Sequence, residues 1–96
     1  MKYSVWMKRY HLNNYLQPKG VQLPWTKIGS FECGAFAYIS AQAFAETGDD
    51  NEVFAVVNTS GKYETMCSTN NDLLNYAFYD GFDKNEAKEF YDERNN

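Results

Sequence analysis

The pattern of apolar and polar positions predicts one dominant element, an alanine-rich helix in the middle of the chain. Residues 30–46 read SFECGAFAYISAQAFAE, and alanine is the best helix-forming residue. Ser30 is suited to cap this helix at its N-terminus, and Gly48 is suited to end it. Its apolar residues surround much of the helix, so we expect a sheet on one side and another helix or a subunit on the other. A strand across residues 31–38 is the alternative interpretation.

Three further segments have the patterns of strands. Residues 2–12 alternate between two faces, and Trp6 is predicted to be half exposed. The residues predicted to face the core are Tyr3, Val5 and Met7. Residues 52–58, EVFAVVN, form a continuous apolar run, which is typical of a central strand that is buried on both faces. Residues 62–67 follow a tight turn, so the two segments are predicted to form a hairpin.

Between the first strand and the alanine-rich helix, residues 13–29 show no regular period. Pro18, Gly20 and Pro24 interrupt both helix and strand patterns, which predicts a long loop. A short extra strand at residues 21–23 is an alternative. Loops of this length are uncommon in small domains and are often functional.

After the hairpin, residues 72–79 are predicted to form a helix that Gly81 interrupts. A capping box at residues 83–86 predicts a last acidic helix, followed by a frayed tail at 94–96. We therefore predict a single α+β domain over residues 1–96. It has a small, three-stranded, mainly antiparallel sheet in the order β-α-β-β-α-α, packed on the alanine-rich helix, with acidic C-terminal helices.

Charge is divided unevenly along the chain. The net charge is −4, yet residues 1–30 contain five basic residues and no acid, whereas residues 31–96 contain all 13 acids. The sequence shows no secretory signal pattern and no apolar run long enough to span a membrane. The two cysteines do not form a disulfide framework, so we expect a cytoplasmic location, in the host cytoplasm if the chain is viral.

Candidate chemistry is sparse. Cys33 lies where a helix N-terminus lowers a thiol pKa, and His11 is the single histidine, so a cysteine-dependent enzyme is a remote alternative. An isolated cysteine in an apolar run is more often a packing residue, and we expect no enzyme activity. No spacing typical of a metal site or a phosphate-binding loop is present, and we expect no metal and no cofactor.

The basic N-terminal third combines cations with flat rings, which suits phosphate contacts and base stacking. The alternative function is therefore nucleotide or single-stranded nucleic-acid binding. The residues that would carry it are Trp6, Arg9, Tyr15, Lys19 and Trp25. The acidic balance of the whole chain argues against this function.

The aromatic content of 18% exceeds what a core of this size hides, and exposed tyrosines are frequent anchors at interfaces. We therefore expect a small non-enzymatic regulator or inhibitor that docks on a larger protein, as a phage-type antagonist with an acidic surface would. The expected partner-binding residues are Tyr15, Trp25, Tyr76, Tyr79, Asp80, Asp83, Glu86 and Glu89. Incomplete coverage of the central helix also favours a homodimer.

Overall fold

A computed structural model describes residues 2–82 of the chain. In sequence order the elements are β1 (Tyr3–Arg9), β2 (Thr26–Phe31), α1 (Gly34–Thr47), β3 (Glu52–Asn58), β4 (Tyr63–Cys67) and α2 (Asn71–Asp80). The strands lie in the order β2-β1-β3-β4, and every neighbouring pair is antiparallel. The α+β class and the β3–β4 hairpin are confirmed, but the prediction of three strands is wrong.

β3 is the central element of the core, because six of its seven residues are buried. Its side chains alternate between two apolar clusters, one on each face of the sheet. α1 covers one face, and the buried residues there are Val5, Ala37, Ala41, Ala45, Phe54 and Val56. α2 covers the other face, where Leu73 and Ala77 pack in a cluster with Val53, Ala55 and Val57. The predicted burial of β3 on both faces is confirmed.

The fourth strand, β2, lies within and just beyond the segment that was predicted to be a loop. Ser30 pairs with Ser4 across the β1–β2 ladder, so it is a strand residue and not the helix cap. Cys33 occupies the N-cap position of α1, and its side chain makes no capping hydrogen bond. Residues 21–23 form no strand. Pairing with the otherwise open edge of β1 outweighs the weak local preference of Ser30 for a cap.

Trp6 is buried, with 6% of its surface exposed, so the prediction that it is half exposed is wrong. The alternation of β1 suggested a solvent-facing side, but that side is covered. Phe82 packs edge-on against both Trp6 and Trp25, with ring centroids 5.4 Å apart in each case. Phe82, just after α2, and Trp25, directly before β2, thus help to close the second face of the sheet.

α1 packs on the sheet, as expected, and makes no contact with α2, which lies on the opposite face. The outward side of α1 carries Phe36 and Ile39, which are 65% and 61% exposed. The predicted last helix and the tail lie outside the described residues. Neither helix between residues 2 and 82 is long and apolar enough to cross a membrane.

Glu52 is the buried charged residue among those described, and its carboxylate connects the start of β3 to two neighbours. It accepts hydrogen bonds from the Arg9 guanidinium and, at 2.9 Å, from the backbone N–H of Asp49. A Cβ at Gly48 would lie 2.6 Å from Glu52 Oε1, so glycine leaves room for the carboxylate. Burial raises the pKa of Glu52, but these hydrogen bonds outweigh burial and the net pKa is lowered.

We predict that Glu52→Gln lowers the free energy of unfolding at neutral pH by about 1–2 kcal/mol, because a charged acceptor is replaced by a neutral one. A lowered pKa contributes stability above the ordinary pKa of a glutamate, near 4.5, and that contribution is lost as the pH falls through the folded-state value. Denaturant titrations at several pH values should therefore show the two proteins converging in acid. The control Asp50→Asn, in the same turn but exposed, should change stability little. A loss in Glu52→Gln that is equal at all pH values would contradict the prediction.

Candidate functional site

α2 has a buried side and an exposed side that differ in chemistry. The Asn70 side chain caps the helix by accepting a hydrogen bond of 3.1 Å from the Leu73 backbone N–H. Leu73 and Ala77 face the sheet, so residues one turn apart on the other side face outward. These outward residues are Asp72, Tyr76 and Tyr79. The helix therefore presents a carboxylate and two phenol rings along one line.

The loop after β1 is folded back on itself. Leu12 and Pro18 form an isolated antiparallel bridge at its base. At its tip, the Asn13 side-chain oxygen accepts hydrogen bonds from the backbone N–H groups of Tyr15, at 2.8 Å, and Gln17, at 3.1 Å. These bonds give the tip one defined conformation although it contains no regular secondary structure.

The Gln22 side chain closes the base of the same loop. Its oxygen accepts a hydrogen bond from the His11 backbone N–H at 2.7 Å, and its amide group donates to the carbonyls of His11 and Lys19 at 3.1 and 3.0 Å. The Gln22 side-chain amide thus forms hydrogen bonds like those of a backbone amide and links the two sides of the loop. A loop held in this way loses less conformational entropy when it binds a ligand.

The loop tip and α2 form the two walls of a groove with a volume of about 540 Å³. The residues that line it are Tyr15, Leu16, Gln17, Pro18, Asp72 and Tyr76. Tyr15 is 83% exposed and Tyr76 is 40% exposed, so both rings are accessible. The groove joins parts of the chain that are more than fifty residues apart in sequence.

Tyr10 supports the helical wall of the groove from below. Its buried ring packs edge-on against Tyr76 at 5.9 Å, and its hydroxyl donates a hydrogen bond of 3.3 Å to Asp80. Lys8 forms a salt bridge with the same carboxylate at 3.3 Å and lies 5.0 Å from the centroid of the Tyr10 ring. Burial, together with the negative charge of Asp80, raises the pKa of Tyr10, so its hydroxyl remains a donor.

Leu16 is the one non-glycine residue with a positive φ among those described, at 58°. This left-handed conformation is unfavourable for leucine because Cβ approaches the backbone. Its side chain is 47% exposed beside the groove, so burial does not explain why leucine occupies this position. Backbone strain of this kind often occurs at binding sites.

The lining of the groove is chemically suited to a group that is partly apolar and partly cationic. Tyrosine faces attract cations, and Asp72 adds a full negative charge in the first turn of α2. The Gln17 amide offers both a donor and an acceptor. The lining includes no cysteine and no histidine, so it contains none of the side chains that the sequence offered for nucleophilic catalysis.

Of the eight expected partner-binding residues, the structure brings Tyr15 and Tyr76 together in this groove. Tyr79, which is 90% exposed, and Asp80 lie on the last turn of α2. Trp25 is 3% exposed and belongs to the core. The other three, Asp83, Glu86 and Glu89, lie outside the described residues.

The five residues selected for nucleotide binding are not brought together as one surface. Trp6 and Trp25 are buried in the core, so neither ring is available to stack on a base. Arg9 is paired with Glu52. Tyr15 and Lys19 remain exposed on the loop.

Cys33 and His11 lie towards opposite ends of β1. Cys33 follows β2, whose last residue Phe31 pairs with Tyr3, while His11 lies beyond Arg9 at the other end. At roughly 3.3 Å per residue, the eight steps from Tyr3 to His11 correspond to about 26 Å, so the two side chains form no catalytic pair. Within residues 2–82, no three acidic, histidine or cysteine side chains group as metal ligands do.

No family model, curated protein or solved structure matches this chain. The sequence indicated the loop around Tyr15–Trp25 as a binding surface, but it did not single out four of the six lining residues of the groove, Leu16, Gln17, Pro18 and Asp72. The four-residue spacing from Asp72 to Tyr76 was a usable signal for a shared helix face, but nothing local indicated that the loop lies beside it.

We predict that Leu16→Asn stabilises the protein by about 1 kcal/mol, because asparagine tolerates the left-handed conformation. Leu23→Asn is a matched control, since Leu23 is 49% exposed but has no positive φ. Chemical denaturation of both variants provides the comparison. Equal effects of the two substitutions would show that Leu16 is not strained.

Proposed function

We propose that this chain is a small non-enzymatic binding protein that regulates or inhibits a larger protein by docking on it. The observation that carries the proposal is the groove between the loop tip and α2. Two accessible tyrosines and a carboxylate line it, and both of its walls are fixed by internal hydrogen bonds. Tyrosine is among the residues that contribute most to binding energy at protein interfaces.

The carboxylate in the groove and the acidic sequence that follows α2 suggest the chemistry of the partner. Asp72 lies in the groove, whereas Asp80, two turns further along the same helix, is paired with Lys8. The next fourteen residues of the sequence contain five more acids and three bases. An acidic surface with aromatic anchors fits a basic surface on the partner, including one that binds nucleic acid, and a phage-type antagonist would act in this way.

The test is capture of a partner from nuclease-treated lysate by the tagged protein, followed by affinity measurement with the purified partner. Tyr15→Ala and Asp72→Asn are expected to weaken binding, by about tenfold or more for the tyrosine. The matched controls Tyr38→Ala and Asp50→Asn remove the same groups outside the groove and should bind normally. Because the attraction is between charges, added salt should also weaken the complex. Normal binding by both groove variants would refute a role for the groove.

A second candidate function, binding of a phosphate-bearing ligand, is supported by a smaller polar cavity at the other end of β1. Its volume is about 80 Å³, and two lysines contribute to its lining. The polar residues that line it are Lys2, Ser4, Lys27, Ser30, Asn58 and Thr59. Ammonium and hydroxyl groups in one cavity suit a phosphate.

The second function can be tested by the anisotropy of a labelled single-stranded oligonucleotide at low salt. Tryptophan fluorescence is a poor probe, because both tryptophan rings are buried. Binding through the cavity should be lost in Lys2→Ala, whereas binding through the loop should be lost in Lys19→Ala. No change in anisotropy would eliminate binding of single-stranded nucleic acid at either place.

A further inference from the structure

The distribution of large and small residues on α1 is the reverse of that expected for a helix that only covers a sheet. Its buried residues are all alanines, at positions 37, 41 and 45. The bulky residues Phe36 and Ile39 point outward and are more than half exposed. Ala35 and Ala43 are exposed beside them. The outward stripe of Ala35, Phe36, Ile39 and Ala43 is an apolar surface without a covering element among the described residues.

We propose that this stripe is the interface of a homodimer, in which α1 packs antiparallel on α1 of a second copy across a two-fold axis. The inference is independent of the groove and of any partner bound there. Three features of α1 favour a second copy of the chain as the partner of this stripe.

The first feature is complementary size. If the two-fold axis passes between positions 39 and 40, Phe36 of each copy faces Ala43 of the other. A large side chain then lies against a small one on both sides of the axis, which is the arrangement that a self-complementary interface requires. Ile39 lies next to the axis and meets Ile39 of the second copy.

The second feature is complementary charge. The N-terminus of α1 has no side-chain cap and no acid in its first turn, so its first N–H groups have no capping partner from the Cys33 side chain. Glu46 is exposed near the C-terminal end, where a negative charge is unfavourable for its own helix. The same axis that pairs Phe36 with Ala43 brings Glu46 of one copy to Cys33 of the other. Each glutamate is thus placed near the positive end of the opposite helix, and Glu32, one residue before Cys33, opposes part of this attraction.

The third feature is the position of α1 in the fold. α1 and α2 lie on opposite faces of the sheet, so the stripe and the groove do not compete for the same space. A dimer formed through α1 leaves both grooves open and facing away from the axis. Two linked copies of one binding site raise the avidity for a partner that is itself repeated.

The test is sedimentation of the full chain over micromolar concentrations. The native protein is expected to be a dimer, and Ile39→Lys is expected to be a monomer, with a dissociation constant raised at least about tenfold, because two positive charges meet at the axis. The matched control Val21→Lys adds the same charge at an apolar residue that is 88% exposed and outside α1, and it should remain a dimer. Circular dichroism of both variants checks that they are folded.

A second set of measurements tests whether Ile39 lies next to the axis and whether the helices run antiparallel. In a Cys33→Ser background, Ile39→Cys should form a disulfide-linked dimer on mild oxidation, whereas Val21→Cys should not. Glu46→Gln should weaken self-association several-fold if its carboxylate lies beside the opposite helix. A native monomer would overturn the proposal, as would a dimer that Ile39→Lys leaves intact. If the native protein is a monomer and Ile39→Lys lowers its free energy of unfolding, another part of the same chain covers the stripe.

Discussion

Burial of β3 on both faces is the constraint on which the rest of the structure depends. A strand with apolar side chains on both sides needs a covering layer on each side, and one helix supplies only one layer. α1 covers one face, while α2, with Trp25 and Phe82, covers the other. The requirement to hide this strand therefore determines where α2 lies, and with it one wall of the groove.

The groove combines a helix with a loop, and the two walls are held by different means. α2 is held by apolar contacts beneath Leu73 and Ala77, and by the attachment of Asp80 to Lys8 and Tyr10. The loop tip is held almost entirely by hydrogen bonds. A surface that is ordered before binding loses less conformational entropy when it binds, so the same contacts give a higher affinity. The left-handed Leu16 at the tip is consistent with selection for binding over stability.

Sequence patterns identified β3, the hairpin and α2, because each of these signals is local. β2 was missed because TKIGSF contains a glycine and no regular alternation, and its pairing with β1 is a tertiary effect. Trp6 was predicted to be half exposed because an alternating strand often has one face in solvent, but both faces of this sheet are covered. Tyr15 and Tyr76 could be chosen from the sequence as exposed anchors. Their positions on opposite walls of one groove could not be predicted from the sequence, since they depend on a contact between distant segments.

The pairing of β1 has a consequence for the order in which a newly synthesised chain acquires its properties. Tyr3 pairs with Phe31 on one side and with Asn58 on the other. More than half of the sequence must therefore be synthesised before both edges of β1 can be paired. Contacts this far apart form late and slowly. The loop tip leaves the ribosome early, but its opposite wall ends only at Asp80. The groove is therefore among the last features that the chain completes during translation, and a fragment that stops before α2 lacks one of its walls.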